Sequence, residues 1–249
     1  MTDASARALL RRFGQFADAF ANCFTRCAPR AAASHYLDAL FTDSERKSRQ
    51  AMHGRLGDPG SDEALLHFIT DSPWDAERVW ARLRALVPVR RGVLALDDTS
   101  FPNQGRHSAG VKRPYCGALG KTANGQVAVS TVLLNEPLAW PLTFELYLPR
   151  DWAADAARRA KAGIPETVRF REKWRIALAH IRRVLKADFA LSAVVADADD
   201  GSHAPFRCGL ERLGLRYGLA IRGALTMWVP RARRARPATA IAAALPEAA

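Results

Sequence analysis

Apolar residues recur at three- and four-residue intervals through the first 90 residues, which is the spacing of amphipathic helices. The first stripe consists of Leu9, Leu10, Phe13, Phe16, Ala17 and Phe20. Thr42-Asp43-Ser44-Glu45 has the pattern of a capping box and would begin a basic helix that runs through Met52. Ser72-Pro73-Trp74-Asp75 combines a serine cap with proline at the first helical position, and would begin another helix. We therefore predict an all-helical N-terminal region over residues 1–90.

The period of the pattern shortens after Gly92. Apolar runs at 93–96, 126–134 and 140–148 indicate strands, with a turn at Asn135-Glu136-Pro137 between the last two. A helix is predicted over 167–187, a strand over 191–196, a helix over 203–213 and a strand over 217–223. This order favours an α/β domain over 91–229, a mixed sheet flanked by helices. Residues 230–249 are rich in Arg, Ala and Pro and are predicted to form a disordered tail.

The charge balance points to a polyanionic partner. The 249 residues include 37 Lys and Arg against 25 Asp and Glu, a net charge of +12. An excess of this size indicates nucleic acid most often, although an arginine-rich protein from a GC-rich genome would have the same composition. No apolar run approaches the ~20 residues of a membrane span, and the four cysteines form no CxxC pair. We therefore expect a soluble protein of a reducing cytoplasm.

Two acids follow buried strands that are far apart in the sequence. Asp98 follows the run VLAL, and Asp197 follows SAVVA. A carboxylate at the end of a core strand is costly unless it faces a cleft, a metal or a partner. Two such acids suit a divalent-metal site for phosphoryl transfer, because carboxylate oxygens are the ligands that Mg²⁺ prefers. Alternatively, each acid caps the loop or helix that follows its strand.

The loop after the first acid is rich in cations and glycines. It carries Arg106, Lys112, Arg113 and Lys121 together with Tyr115. Basic side chains of this kind bind phosphates, and an aromatic ring stacks on bases, so the loop is a candidate DNA-binding element. The alternative is that the tyrosine and the glycines form an ordinary hairpin. The sequence GALGK lacks the spacing of a nucleotide-triphosphate loop, which excludes that function.

The stretch from Asp97 to Val129 resembles the signature of the DDE transposases of bacterial insertion sequences. DDTSF stands at the strand end, GRHSAGVKRPYCGALGKTANGQVAV follows, and VVADADDG with FRCGLERLGLRYGLAIRG is similar to a later part of that family. The resemblance implies an RNase H-like core whose D, D, E triad binds two Mg²⁺ (or Mn²⁺) ions. It implies cleavage of a phosphodiester at the transposon end, followed by attack of the freed 3′ hydroxyl on target DNA.

Carried over to this sequence, the resemblance makes Asp98 the first metal-binding acid and Asp197 the second. Asp97 is the fallback for the first, since strand alternation brings only one of the two neighbours into a site. The implied partners are double-stranded DNA, as transposon ends and target, and further copies of the chain in a synaptic complex. The helical residues 1–90 are expected to bind DNA as well, and the implied location is the nucleoid of a bacterial cell.

The third acid of the family pattern, a glutamate on a helix beyond Asp197, is not found before the chain ends. Asp199 and Asp200 are set aside because they lie so near Asp197, and Glu211 and Glu247 because they belong to a core helix and to the tail.

Arg171-Glu172-Lys173 contains an acid but precedes Asp197, and its pattern is typical of a solvated helix face. We therefore expect a transposase truncated at its C-terminus, with little or no cleavage by this chain alone. Two alternatives stay open: an inactive DNA-binding fragment that inhibits a full-length transposase, and a degenerate product without a selected role.

Overall fold

The computed structural model describes residues 3–24, 27–41, 51, 53–54, 62–72, 74–103, 105–230 and 232–245. The chain divides into two compact units, residues 1–86 and residues 87–249. Each unit has a hydrophobic core of its own.

The described part of the first unit is helical, as the spacing of its apolar residues predicted. Its elements are α1 (Asp3–Asp18), a 3-10 turn (Ala21–Cys23), α2 (Cys27–Leu40), α3 (Asp62–Thr70) and α4 (Ala76–Leu86). The ring centroids of Phe24 and Phe68 are 5.7 Å apart, and Phe68 stacks on Trp74 at 6.3 Å. These aromatic contacts join the end of the 3-10 turn to α3 and to the segment before α4.

Two predicted helix starts have different outcomes. The capping box at 42–45 lies outside the described residues, as does most of the basic helix predicted after it. The start predicted at Ser72 was wrong, because α4 begins at Ala76 and its cap is Asp75. The Asp75 carboxylate accepts a hydrogen bond from the backbone N–H of Glu77 at 2.8 Å. Aspartate caps a helix as well as serine does, and this one stands nearer to the first helical residue.

The second unit is built on a five-stranded mixed sheet, which confirms the predicted fold class. The strand order is β5-β4-β1-β6-β7, with β1 antiparallel to β4 and parallel to β6. The strands are β1 (Arg91–Pro102), β2 (Tyr115–Cys116), β3 (Lys121–Thr122), β4 (Gly125–Asn135), β5 (Leu138–Leu146), β6 (Ala190–Ala196), β7 (Tyr217–Leu219), β8 (Thr226–Met227) and β9 (Arg236–Pro237). The pairs β2–β3 and β8–β9 form separate two-stranded ladders.

The helices of this unit are α5 (Arg150–Ala154), α6 (Ala156–Lys161), α7 (Lys173–Lys186), α8 (Ala198–Gly201), α9 (Ala204–Arg212) and α10 (Ala238–Ala242). Helix α7 packs Ile176, Ile181 and Val184 onto the sheet, where they meet Leu94 of β1 and Val194 of β6. All five side chains are at most 2% exposed. Because α7 is amphipathic and one stripe of it is fully buried, its position on the sheet is fixed by apolar packing.

Strand β1 is longer than the apolar run VLAL predicted. It continues through the two acids to Pro102, because its antiparallel ladder with β4 extends from Val93↔Leu134 to Pro102↔Gly125. Its parallel pairing with β6 ends earlier, at Ala95↔Val195. The expectation that a strand ends at Asp98 was therefore wrong, and Asp98 lies inside β1, three residues beyond the last pair with β6.

None of the helices in the described part of the chain has the length and apolarity needed to cross a bilayer.

Candidate active site

The two aspartates at 97 and 98 point to opposite faces of the sheet. Leu94 and Leu96 are 0% and 4% exposed on the face that packs against α7. Successive side chains of a strand alternate, so Asp98 shares that face and Asp97 does not. The Asp98 side chain is 22% exposed, whereas Asp97 is in the exposed class. The structure thus places Asp98, and not the fallback Asp97, beside the helices that cover the sheet.

Asp197 directly follows β6, the parallel neighbour of β1, and caps helix α8. Its Oδ1 accepts hydrogen bonds from the backbone N–H groups of Asp199 at 3.0 Å and Asp200 at 3.3 Å. The capping role that the sequence left open is therefore real for this acid. Because both bonds go to one oxygen, capping orients the carboxylate and leaves the Oδ2 side to other contacts.

Asp200 is an acid of this region that the sequence analysis set aside. It is 8% exposed, and burial followed by the charges of Asp98 and Asp197 raises its pKa to about 7. Burial also raises the pKa of Asp98, although the hydrogen bond and charge of Lys173 oppose it, and the charges of Asp197 and Asp199 add smaller upward contributions. These mutual effects place the carboxylates in one neighbourhood, near enough for their charges to interact. Asp200 lies three residues after the cap of the short helix that follows β6, and no sequence pattern distinguished it from the exposed Asp199 beside it.

Lys173, the first residue of α7, donates a hydrogen bond to Oδ2 of Asp98. This ion pair raises the pKa of Lys173, although burial opposes the shift. The same segment places Arg171 on Glu145 of β5. The prediction that Arg171-Glu172-Lys173 forms a solvated helix face was wrong. Helix α7 starts only at residue 173, so helical periodicity does not apply to the residues before it.

The donor set suits a hard divalent cation. Asp98 and Asp197 supply carboxylate oxygens only, and the ammonium of Lys173 shows that a cation is accepted at Asp98. Within the described residues, no group of three or more acidic, histidine or cysteine side chains stands ready to hold a metal. Mg²⁺ is commonly held by one or two carboxylates and completes its octahedron with water and phosphate oxygens, so the two acids fit it.

Three further acids are candidates for a third ligand. Glu211 is on α9, is exposed, and accepts a hydrogen bond from the Tyr217 hydroxyl at 2.8 Å. Glu247 lies outside the described residues. Asp199 pairs with Arg222 at 2.6 Å, and this hydrogen bond lowers its pKa.

A basic groove of about 780 Å³ opens in the same unit. Three of the five predicted DNA-binding residues line it, namely Arg106, Lys112 and Arg113. Tyr115 and Lys121 belong instead to the hairpin of β2 and β3, where both are exposed. The structure therefore groups the three loop cations and separates the other two residues from them.

The loop that carries Arg106 is held in place by side-chain amides. Asn124 donates to the carbonyls of Asn103 at 2.6 Å and Gly105 at 2.8 Å. Gln126 donates to the carbonyl of Ala109 at 2.7 Å. Both donors stand at or near the start of β4, so the sheet itself fixes the loop. The backbone of a loop held in this way has little conformational freedom left to lose on binding.

Two groove residues were missed by the sequence analysis. Arg158 of α6 lies over the ring of the buried Trp152 at 3.6 Å and adds a fourth cation. Asp151 of α5 pairs with Lys112 at 3.1 Å and contributes the groove's negative charge. Both come from a helical segment some 40 residues beyond the loop, and no local motif connects them to it.

Comparison with known proteins assigns the family. A family model described as DDE superfamily endonuclease matches residues 19–243. Because this match covers most of the chain, the chain belongs to that family, and the predicted family is confirmed.

One protein with a more specific description is similar to part of the chain. The chain is 36% identical over 165 residues to "Probable transposase for insertion sequence element IS701" from Microchaete diplosiphon. The match covers 64% of this chain and 40% of the relative, so the chain spans well under half of that protein's length. A solved structure, "Drosophila P element transposase strand transfer complex", is similar with a TM-score of 0.35 and 13% identity, covering 77% of this chain and 37% of that one.

Proposed function

We propose that this chain is the part of an insertion-sequence transposase that carries the first two metal-binding acids and a DNA-binding groove. The observation that carries the proposal is the placement of Asp98 and Asp197 on neighbouring strands of the sheet. They come from adjacent parallel strands about 100 residues apart in sequence, and each raises the pKa of the buried Asp200. Placing several carboxylates together in a partly buried region lowers the stability of the fold. Such destabilising clusters are typical of functional sites.

In this proposal Asp98 and Asp197 hold a divalent cation, Mg²⁺ or Mn²⁺. When bound, the cation lowers the pKa of a water or hydroxyl nucleophile and stabilises negative charge on the phosphate under attack. Asp98 presents its carboxylate from the rigid middle of β1. Asp197 is oriented by its two capping hydrogen bonds, so both ligands are pre-positioned by backbone structure.

The proposed substrate is double-stranded DNA, as transposon ends and target. The groove places Arg106, Lys112, Arg113 and Arg158 where phosphate oxygens of a backbone would bind. In the first unit, the exposed Arg11 and Arg12 of α1 give the helical region cations of its own, in keeping with the DNA-binding role expected for it. Assembly of several copies on DNA belongs to the same proposal.

The test compares three variants of equal charge change: Asp98→Asn, Asp197→Asn and Asp97→Asn. Isothermal titration with Mn²⁺ should show a binding site that the first two substitutions remove and the third retains. Asp97 is the matched control because it neighbours Asp98 on the opposite face. Loss of the site in Asp97→Asn, with retention in Asp98→Asn, would assign the ligand to Asp97. Retention in all three would overturn the proposed metal centre.

Two readouts on duplex DNA complete the test. Fluorescence anisotropy should show binding by the chain, and denaturing gels should show whether Mg²⁺-dependent nicking at transposon ends accompanies it. Nicking that Asp197→Asn abolishes would support a cleaving enzyme. DNA binding without nicking would favour the alternative of a binding fragment, which would then inhibit a full-length transposase in a mixing experiment. Absence of DNA binding would contradict both.

A further inference from the structure

The ammonium of Lys173 is directly bonded to the first of the two proposed metal ligands. Its Nζ donates to Oδ2 of Asp98, and the two side chains are 31% and 22% exposed. The backbone of Lys173 is held in place, because Ile176, about one turn later in α7, is buried in the core at 2% exposure. The preceding residue, Glu172, is extended at φ −65° and ψ 144°, and so the helix starts at a fixed point.

The same side chain shares a cavity with a second carboxylate, that of Asp199, which also pairs with Arg222. Lys173 lines a small cavity of about 240 Å³ together with Tyr147, Asp199 and Asp200. Its Nζ lies 5.7 Å from the centre of the Tyr147 ring, an arrangement that tolerates a cation in this cavity. A lysine has four rotatable side-chain bonds, so its ammonium can exchange partners inside such a space without any backbone movement.

We propose that Lys173 is a positioning residue that competes with the divalent cation for Asp98. The inference rests on the proposed function, since it requires Asp98 to be a metal ligand. In the metal-free protein the ammonium neutralises Asp98 and holds it in the α7-facing position. When the metal binds, Lys173 gives up Oδ2 of Asp98 and turns to Asp199 in the adjoining cavity. The Lys173 ammonium thereby exchanges one carboxylate for another and stays paired throughout.

Two effects of Lys173 on metal affinity oppose each other. Holding Asp98 in place favours binding, because less freedom is lost when the ion arrives. The positive charge beside the site disfavours it, since a monovalent and a divalent cation repel each other at close range. Asp98 is already constrained by its place inside a paired strand, with Val129 opposite it. The repulsion therefore outweighs the ordering, and Lys173 lowers the affinity for the metal.

The measurement is Mn²⁺ affinity in Lys173→Met and Lys173→Arg, by isothermal titration or by electron paramagnetic resonance of free Mn²⁺. Lys173→Met keeps the length of the side chain and removes its charge, and it should bind Mn²⁺ about tenfold more tightly than the unmodified chain. Lys173→Arg restores the charge and should restore the weaker binding. A merely structural lysine would give the opposite result, since loosening Asp98 would weaken metal binding.

A substitute variant and a comparison with Asp98→Asn make each outcome of this experiment interpretable. If Lys173→Met does not unfold cooperatively in a thermal melt, Lys173→Gln serves as the neutral variant and keeps a hydrogen-bond donor. If Asp98→Asn loses the metal site while the neutral Lys173 variant binds Mn²⁺ no more tightly than the unmodified chain, the competition is refuted and the proposed function stands. If Asp98→Asn retains the site, Asp98 is not a metal ligand and the premise of the competition fails, whatever the Lys173 variants show.

Discussion

Asp98 and Glu145 lie in one row across the sheet, with Val129 between them. Asp98 of β1 is opposite Val129 of β4, which is opposite Glu145 of β5. The backbones of the two acids are separated by two strand spacings, about 9.6 Å. The segment that leads into α7 crosses this row and places Arg171 on Glu145 and Lys173 on Asp98. One stretch of three residues thus pairs with acids on two strands, and only one of those acids belongs to the candidate site.

Substitution of Glu145 by Gln should destabilise the protein without weakening metal binding. Burial disfavours the ionised form of Glu145, but the imidazole of His180, whose Nε2 lies 3.5 Å from Oε2, and the hydrogen bond from Arg171 outweigh it and lower the pKa of Glu145 below the ordinary 4.5. Glu145 and Arg171 are 30% and 41% exposed, so solvent screens the pair and the expected loss at pH 7 is about 1 kcal/mol. The measurement is urea unfolding of both proteins, with Mn²⁺ titration as the control.

The pH dependence of that loss has a definite sign. A carboxyl whose folded pKa is lowered contributes stability that is present above its unfolded pKa and is lost as the pH falls through the folded value. The difference between the unmodified chain and Glu145→Gln should therefore be full above pH 4.5 and shrink below it. A difference that stayed constant into acid would show that Glu145 acts by packing and not by its charge.

Removal of groove cations should weaken DNA binding and flatten its salt dependence. Each of Arg106→Ala and Arg113→Ala should reduce the slope of log affinity against log salt by about 1, because each contact with a phosphate releases about one counterion. Asp151→Asn should act in the opposite direction, since it removes the acid that pairs with Lys112. Fluorescence anisotropy at several salt concentrations gives the slopes.

The control for the groove is Arg212→Ala, which removes an exposed arginine at the end of α9. It changes the net charge by the same amount as Arg106→Ala but lies outside the residues that line the groove. If Arg212→Ala lowered the slope as much as the groove variants, DNA binding would be a general effect of net charge.

Replacement of Asp200 by Asn should stabilise the metal-free protein. Asp200 is buried among carboxylates, and the amide has the same shape without the charge that Asp98 and Asp197 repel. The expected gain in unfolding free energy at pH 8 is about 1–2 kcal/mol. Thermal melts with and without Mn²⁺ should show a smaller metal-induced rise in Tm for the variant, because the metal relieves less repulsion there.

Asp199→Asn is the matched control for Asp200. It carries the same chemical change one residue away, but Asp199 is exposed and paired with Arg222, so no gain in stability is expected. Equal stabilisation by both substitutions would mean that the total negative charge of the segment matters, and not the buried position of Asp200.

Gly201→Ala should disrupt the turn that carries the second acid. A Cβ at this position would stand 2.0 Å from the carbonyl oxygen of Ala220 and 2.9 Å from Cβ of Leu219, so α8 must move away from β7. The expected cost is about 2–3 kcal/mol, with weaker Mn²⁺ binding because Asp197 caps the same helix. Gly14→Ala in α1 is the control. Its Cβ would meet nothing within 4 Å, and it should gain about 0.5–1 kcal/mol.

The sequence by itself determined the helical first unit, the mixed sheet of the second, and the two acids with their order along the chain. These features were predictable because they depend on local patterns: the spacing of apolar residues, the acids that follow the runs VLAL and SAVVA, and a motif long enough to indicate the family. Strand alternation also required that only one of Asp97 and Asp98 face the candidate site.

Only the tertiary structure decided which of Asp97 and Asp98 faces the candidate site and what surrounds it there. The ladder with β4 carries β1 past both acids and turns Asp98 toward α7. Lys173 and Arg171 meet their acids across 75 and 26 residues of sequence, and Arg158 meets the groove from α6. Such contacts depend on how α7 and α6 pack against the sheet and its loops. That packing is set by buried apolar surface from many distant residues at once, and no local window of the sequence contains it.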